Sequence, residues 1–547
     1  MNNFLVWKKS EAVLRALVFP SHRLLTRENV FAGNIIARTT IALLLVSICG
    51  LASATDKSAE KPNVIYIISD DLGYGDLGCY GATKVKTPNL DRLAAQGCRF
   101  TDAHSTAAVC TPTRYALLTG RYAWREPNTG IARGDQSALI QPGTTTIASV
   151  FKLAGYKTGV VGKWHLGLGE PPRTDYNVEI KPGPLEIGFD YAFIIPATGD
   201  RVPCVFVENR SVVGYDPADP IQVSFGKKIG DEPTGVDPNI KLKIQGGPGH
   251  KDTVINGIPR IGFMTGGKAA RWVDEDIADV LTSKAVNFIE TNKSAPFFLF
   301  YSTHDIHEPM VPHPRFQGTS ECGWRGDVIH QLDWSIGQLM AALDRNGLVD
   351  NTLVIFTSDN GGAIKDTYDD GTNPLHSKQP PNGSLRASKG ALYEGGHRVP
   401  FITRWPSRIA SGGVSGQLIG HVDSLASFAA LTNQKLDASS GSDSFNALPA
   451  WLGEKLESPV RDHLVLQGNS PNPLALRQGD WVLIEKTGAK RSGKADNSSS
   501  NSDGPALELY NLATDLGQSD NLEKKEPERV KSMAARLKTI RENGRSR

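Results

Sequence analysis

Cysteine is scarce in this chain. Six in 547 residues cannot form the dense cross-linking framework of a small secreted domain. Charge of one sign is nearly absent as well. Sixty Lys and Arg against 58 Asp and Glu leave a net +2, which argues against non-specific nucleic-acid binding. Long hydrophobic runs are missing: Ile41 to Leu51 is apolar but too short to span a bilayer. No internal repeat is apparent. What remains, 39% hydrophobic and 22% charged residues, is the composition of an ordinary soluble globular protein. The length allows one large domain and a smaller one.

The short apolar run has a different use. Arg38 precedes it and Ala52–Ser53–Ala54 follows, the pattern of an export signal cut after Ala54. Residues 1–54 are therefore expected to be a signal peptide and the mature chain to be periplasmic or secreted, without stable membrane insertion. An uncleaved anchor is the alternative. Cys49 lies in this leader, and nothing in the sequence says whether Cys79, Cys98, Cys204 and Cys322 pair.

The chain is organised around Cys110–Thr111–Pro112–Thr113–Arg114, continued by Tyr115 to Gly120. Pro112 suits a first helical turn, Ala116 to Leu118 extend a helix, and Gly120 suits its end. Cys110 then sits at the helix start, where free N–H groups and the positive dipole end favour an anion. Arg114, one turn on, can reach back to the same place. Taken alone, this is as easily a buried cysteine beside a surface arginine.

Four apolar runs end in residues of chemical interest. Asn63 to Ile68 leads to Ser69–Asp70–Asp71, and Thr158 to Val161 to Gly162–Lys163–Trp164–His165. Phe297 to Tyr301 leads to the stretch ending His307–Glu308–Pro309, and Leu353 to Phe356 to Thr357–Ser358–Asp359–Asn360. Such runs read as strands buried on both faces, and stretches of helical spacing between them supply crossovers for a parallel sheet. In such a sheet ligands bind beyond the carboxyl ends of the strands, so these residues are expected on one rim. Adjacent carboxylates such as Asp70 and Asp71 repel unless a cation or donors sit there, and hard oxygen ligands suit calcium or magnesium. A solvated turn is the plainer reading. Residues Arg201 to Lys268 and Asp366 to Asn382 are expected to be long loops over the strand ends. Lys490 to Gly504, rich in Ser, Asn and Lys, reads as a flexible excursion.

The unbroken stretch from Cys110 to Gly120 resembles the signature of the formylglycine-dependent sulfatases of the alkaline-phosphatase superfamily. That resemblance implies an α/β fold with a large, mostly parallel mixed sheet flanked by helices. A catalytic domain over 61–440 and a smaller C-terminal domain over 441–547, an antiparallel sheet plus helix, would follow. It implies that Cys110 is oxidised to formylglycine by a maturation enzyme, a transient partner. It also implies a divalent metal, calcium or else magnesium, held by Asp70, Asp71, Asp359, Asn360 and residue 110. Arg114, Lys163 and His165 would flank the nucleophile, His307 and Lys389 would bind the sulfate, and Thr198 matches a serine near it. Of the formylglycine hydrate's two hydroxyls, one can attack sulfur and the other, once deprotonated, can expel sulfate; His165 is the candidate base for that elimination. His304, His313 and His397 are expected to be solvated or to play supporting parts. The implied activity is hydrolysis of sulfate esters of a small molecule or polysaccharide. The alternatives are a phosphodiesterase or phosphonate monoester hydrolase on the same fold, and an inactive sulfoglycan-binding protein.

Overall fold

The computed structural model describes residues 61–486 and 506–547. The expected signal peptide, Cys49 and the expected excursion of residues 490–504 lie outside the described residues.

The apolar runs become the middle of a ten-stranded mixed sheet. Its strands, in chain order, are β1 (Asn63–Ser69), β2 (Cys98–Phe100), β3 (Lys157–Lys163), β4 (Tyr191–Ile195), β5 (Val207–Glu208), β6 (Ser211–Val212), β7 (Phe297–Ser302), β8 (Thr352–Ser358), β9 (Phe401–Arg404) and β10 (Gly413–Ser415). Across the sheet they run β10-β2-β9-β8-β1-β7-β3-β4-β5-β6. The five central strands, β8 to β4, are parallel, with Ser69 paired to Ser358 and Ser302 to Gly162. Their carboxyl ends therefore form one rim. Every residue of β1, β7 and β8 is buried, which explains the absence of polar alternation. Each fully buried Ile or Phe contributes about 1.5–3 kcal/mol.

Helices cover the sheet: α1 (Pro88–Ala95), α2 (Cys110–Thr119), α3 (Ile277–Asn292) and α4 (Gly323–Arg345). The inner face of α3 is Ile277, Leu281, Ala285 and Phe288, at three- and four-residue spacing. The start of α1 lacks a cap of its own; Asp333 on α4 accepts from the N–H groups of Asn89 and Leu90 at 3.0 and 2.9 Å. Residues 201–268 are long connections stitched by two- and three-residue ribbons, as their Gly and Pro content predicts.

Towards the C-terminus, β11 (His463–Gln467), β12 (Leu474–Gln478), β13 (Trp481–Glu485) and β14 (Leu507–Asn511) form a four-stranded antiparallel sheet in that order. Helix α5 (Pro527–Glu542) lays Met533, Leu537 and Ile540 on it and closes a second hydrophobic core. Cys79, Cys98, Cys110, Cys204 and Cys322 are all free thiols.

Candidate active site

Val109 is extended, and Cys110 is the first residue of α2. Pro112 falls in the first turn, where no N–H partner is lost. At the other end Gly120 is left-handed, with φ +64°, and its N–H closes on Ala116 O at 2.9 Å. All ten helix residues are buried. Arg114 is 1% exposed, which removes the surface-arginine reading.

A buried guanidinium needs a buried partner, and Arg114 has one from β8. Its Nε and Nη2 donate to Asp359 Oδ2 at 3.0 and 2.7 Å, and Nη1 to Lys163 O at 3.3 Å and to Ser302 Oγ. The other oxygen of Asp359 accepts from Asp71 N at 3.2 Å. Asp71 is left-handed, at φ +61°, so the chain turns sharply after β1 and both carboxylates of the pair stay on the rim. Asn360 Nδ2 donates to Asp71 Oδ1 at 2.7 Å. Lys163 Nζ lies 2.5 Å from Asp70 Oδ2, and Lys389 Nζ 2.7 Å from Asp71 Oδ2.

Two oxygens in this cage have no partner. Asp70 Oδ1 and Asn360 Oδ1 are buried and accept from nothing. Burial raises Asp70 to about 8, with Asp359 and Asp71 adding to the rise against the pull of Lys163. Unsatisfied hard oxygens among crowded carboxylates suit a calcium- or magnesium-like cation, and Asp70, Asp71 and His307 are close enough to share an ion.

The histidines at the rim are neutral. Burial holds His307 down at about 3; its Nδ1–H donates to Glu308 O at 2.6 Å, leaving the Nε2 lone pair free, 3.8 Å from Asp71 Oδ2. Burial, then Lys163, keep His165 well below the usual range. Its Nε2–H donates to Ala132 O at 2.9 Å, and Nδ1 is buried without a partner. Thr111 ties this residue to α2 by donating to His165 O at 3.0 Å. Thr198 is buried too, its hydroxyl bonded to Asp200 and to Arg201 Nη1.

Cys110, Arg114, Lys163, His307 and Lys389 thus meet Asp70, Asp71, Asp359 and Asn360 at one rim. Of the three histidines expected to be solvated or to play supporting parts, His304 and His397 are buried, which leaves them only the supporting part, and His313 is half-exposed. Sequence reasoning missed Ser302, which ends β7 beneath Arg114. It also missed a polar group beside His307: Asp200, Arg201, His250 and Glu308. Asp200 pairs with Arg201 at 2.7 Å and with His250 Nε2 at 3.2 Å; Glu308 lies 3.6 Å from the same nitrogen. Asp200 and His250 come from loops without periodicity, so only folding reveals that they meet.

The Sulfatase family model matches residues 62–434. An N-acetylgalactosamine-6-O-sulfatase of Bacteroides thetaiotaomicron is 49% identical over 499 residues, covering 89% of this chain and 94% of that protein. Human arylsulfatase A is 34% identical, over 88% and 86% of the two chains. A solved 6S-sulf structure, described for glycosaminoglycan metabolism by B. thetaiotaomicron, superposes with TM-score 0.83 at 48% identity, covering 88% of this chain and all of that one. A phosphonate monoester hydrolase of Agrobacterium radiobacter shares the fold at 16% identity and TM-score 0.55, over 88% and 96% of the chains.

Proposed function

The chain belongs to the sulfatase family and is a sulfuric ester hydrolase, and on that premise we propose that it removes a 6-O-sulfate from an N-acetylgalactosamine-like sugar of a sulfated glycan. The observation that carries this reading is the 49% identity to the N-acetylgalactosamine-6-O-sulfatase across nearly its whole length. The cluster of Asp200, Arg201, His250 and Glu308 beside His307 supports it, since donors and acceptors of both kinds suit sugar hydroxyls.

In this reading Asp70, Asp71, Asp359 and Asn360, with residue 110, would hold the family's divalent metal, calcium or else magnesium, which would supply polarisation of the sulfate when bound. Formylglycine at residue 110 supplies an oxygen nucleophile. The unmodified thiol suits that role poorly: burial pushes it up, and Asp359 and Asp70 offset the help of Lys163 and Lys389. Arg114 fixes Asp359 and, with Lys163, stabilises negative charge developing at the helix start. Lys389 and His307 bind the sulfate; His307, its ring fixed through Nδ1, can pass a proton to the leaving oxygen only after the charge of the bound sulfate ester has drawn one from solvent onto Nε2. His165 Nδ1, held as an acceptor by the bond from Nε2, is the base that regenerates the resting site. Thr198 orients Asp200 and Arg201 at the sugar's edge.

The remaining parts of the proposal are a maturation enzyme as transient partner, and export to the periplasm or outside under the leader of residues 1–54. A catalytic domain over 61–440 and a C-terminal domain over 441–547 complete it. No helix among the described residues is long and apolar enough to cross a membrane. The test compares sulfate release from N-acetylgalactosamine 6-sulfate, its 4-sulfate isomer and an aryl sulfate, and phosphate release from an aryl phosphate. The 6-sulfate should be turned over fastest. Preference for the 4-sulfate would overturn the substrate, and preference for the phosphate would favour the phosphoester reading.

A further inference from the structure

Behind the nucleophile, the two-residue strand Ala103–His104 meets the turn Glu394–His397. His104 and His397 are both fully buried, and their Nδ1 atoms are 3.0 Å apart. At the outer ends, His104 Nε2 faces Asp102 Oδ1 at 2.8 Å and His397 Nε2 faces the Leu392 carbonyl at 3.2 Å. A carboxylate and a carbonyl only accept, so both Nε2 atoms must carry hydrogen. The Nδ1–Nδ1 contact needs one hydrogen more. Three hydrogens on two imidazoles make one imidazolium.

The surrounding charges favour a proton over a metal ion. Asp102 and Glu394 are already balanced by Arg398, 3.1 and 2.7 Å away, and by Arg477, 3.1 Å from Asp102. A divalent ion would leave two uncompensated buried charges where a proton leaves one. Nitrogens bound at about 2.05 Å to tetrahedral zinc also stand about 3.3 Å apart, wider than the gap here. Of the two rings, His104 is the one whose Nε2 faces a carboxylate, where His397 faces only a carbonyl, so the positive charge is placed on the His104 side. Glu394, pushed up by burial, is drawn down to about 2, with His104 the foremost of the groups that lower it. His421, the other titratable group facing the pair, is kept neutral by burial.

We propose that His104 and His397 share one proton as a buried imidazolium–imidazole pair that holds the strand leading to Cys110 against the loop that carries Lys389, making both positioning residues for sulfate-ester hydrolysis. The backbone repeats the connection: Ser105 N bonds His397 O at 2.8 Å, Val399 N bonds Ala103 O at 3.0 Å, and Gly390 N bonds Ala108 O at 2.7 Å. Gly361 N bonds Gly396 O at 2.9 Å and brings in the metal loop. The role rests on the reading of Cys110 and Lys389 above; the proton count does not.

Urea unfolding of the full chain between pH 7 and 9 tests the count. Unfolded histidines are neutral there, so the folded state holds one proton more, and each pH unit should weaken wild-type folding about tenfold relative to His397→Gln. On N-acetylgalactosamine 6-sulfate, kcat of that variant should fall at least tenfold with KM little changed, and His397→Asn should behave alike. Equal pH slopes, or a metal bound in step with both histidines, would overturn the shared proton. A lost slope with full kcat would overturn the positioning role. Nitrogen NMR of histidine-labelled wild type keeps the test open if the variants do not fold: one histidine lost in His104→Gln must have both ring nitrogens protonated at pH 7.5, and a singly protonated ring refutes the pair. Should the wild type fail to cleave sulfate esters, the function reading falls while slope and spectrum stand.

Discussion

Arg114 and Asp359 are each fully buried, and each is tolerable there only because of the other. Asp359→Ala would strand a buried guanidinium without its counter-charge, only Nη1 keeping neutral acceptors, a change that typically costs about 3–5 kcal/mol. The same variant removes one wall of the oxygen cage. It should unfold at lower urea and lose bound metal and sulfate release together; full metal with full rate would refute the cage. Cys110→Ala, by contrast, trims one small side chain at a helix start. It should fold with metal largely retained by the remaining oxygen groups and no turnover, and mass spectrometry of active wild type should find residue 110 changed by loss of H₂S and gain of oxygen. Cys110→Ser, if left unmodified, should give one burst of product and then stall. Residues inside contiguous motifs were readable before folding. Asp200, His250 and Ser302 were not, because no local spacing links them to the groups they touch.

At the level of elements, the strands were the most legible part, since a strand covered on both faces must be apolar throughout and must end where its chemistry begins. Helix α2 was legible from Pro112 and Gly120. The contact of β3 with β7 was not, and it depends on Gly162. That residue has φ +114°, and an added Cβ would come 1.7 Å from Ser302 O. Gly162→Ala must push the two strands apart just before Lys163. We expect a loss of about 3 kcal/mol or more from strain and overpacking, read as a lower urea midpoint, with kcat reduced in whatever protein remains folded. The pairing of His104 with His397 was illegible for another reason: 293 residues separate them, and nothing in either stretch points to the other.

Across the whole molecule, acid should be the weak side. Burial holds His304 at about 4 and His421 at about 3, below the usual 6.5 of an unfolded histidine. Between those values the unfolded chain binds more protons, so stability falls as pH drops from about 6.5 towards 4. Each histidine contributes up to about 1.36 kcal/mol per pH unit. His421→Asn should flatten that slope by about one proton in urea titrations at pH 7, 6 and 5; an unchanged slope would mean His421 is charged in the folded state. The burial of α2 also sets a clock. Arg114 docks on Asp359, which lies 245 residues further along. At a synthesis rate of about 5–20 residues per second, that partner arrives roughly 12–50 s after the cysteine. If Cys110 is oxidised as proposed, that oxidation is a race against chain completion. Chains truncated before β8 should then remain open to the proposed maturation enzyme, while a finished, folded thiol form should resist it.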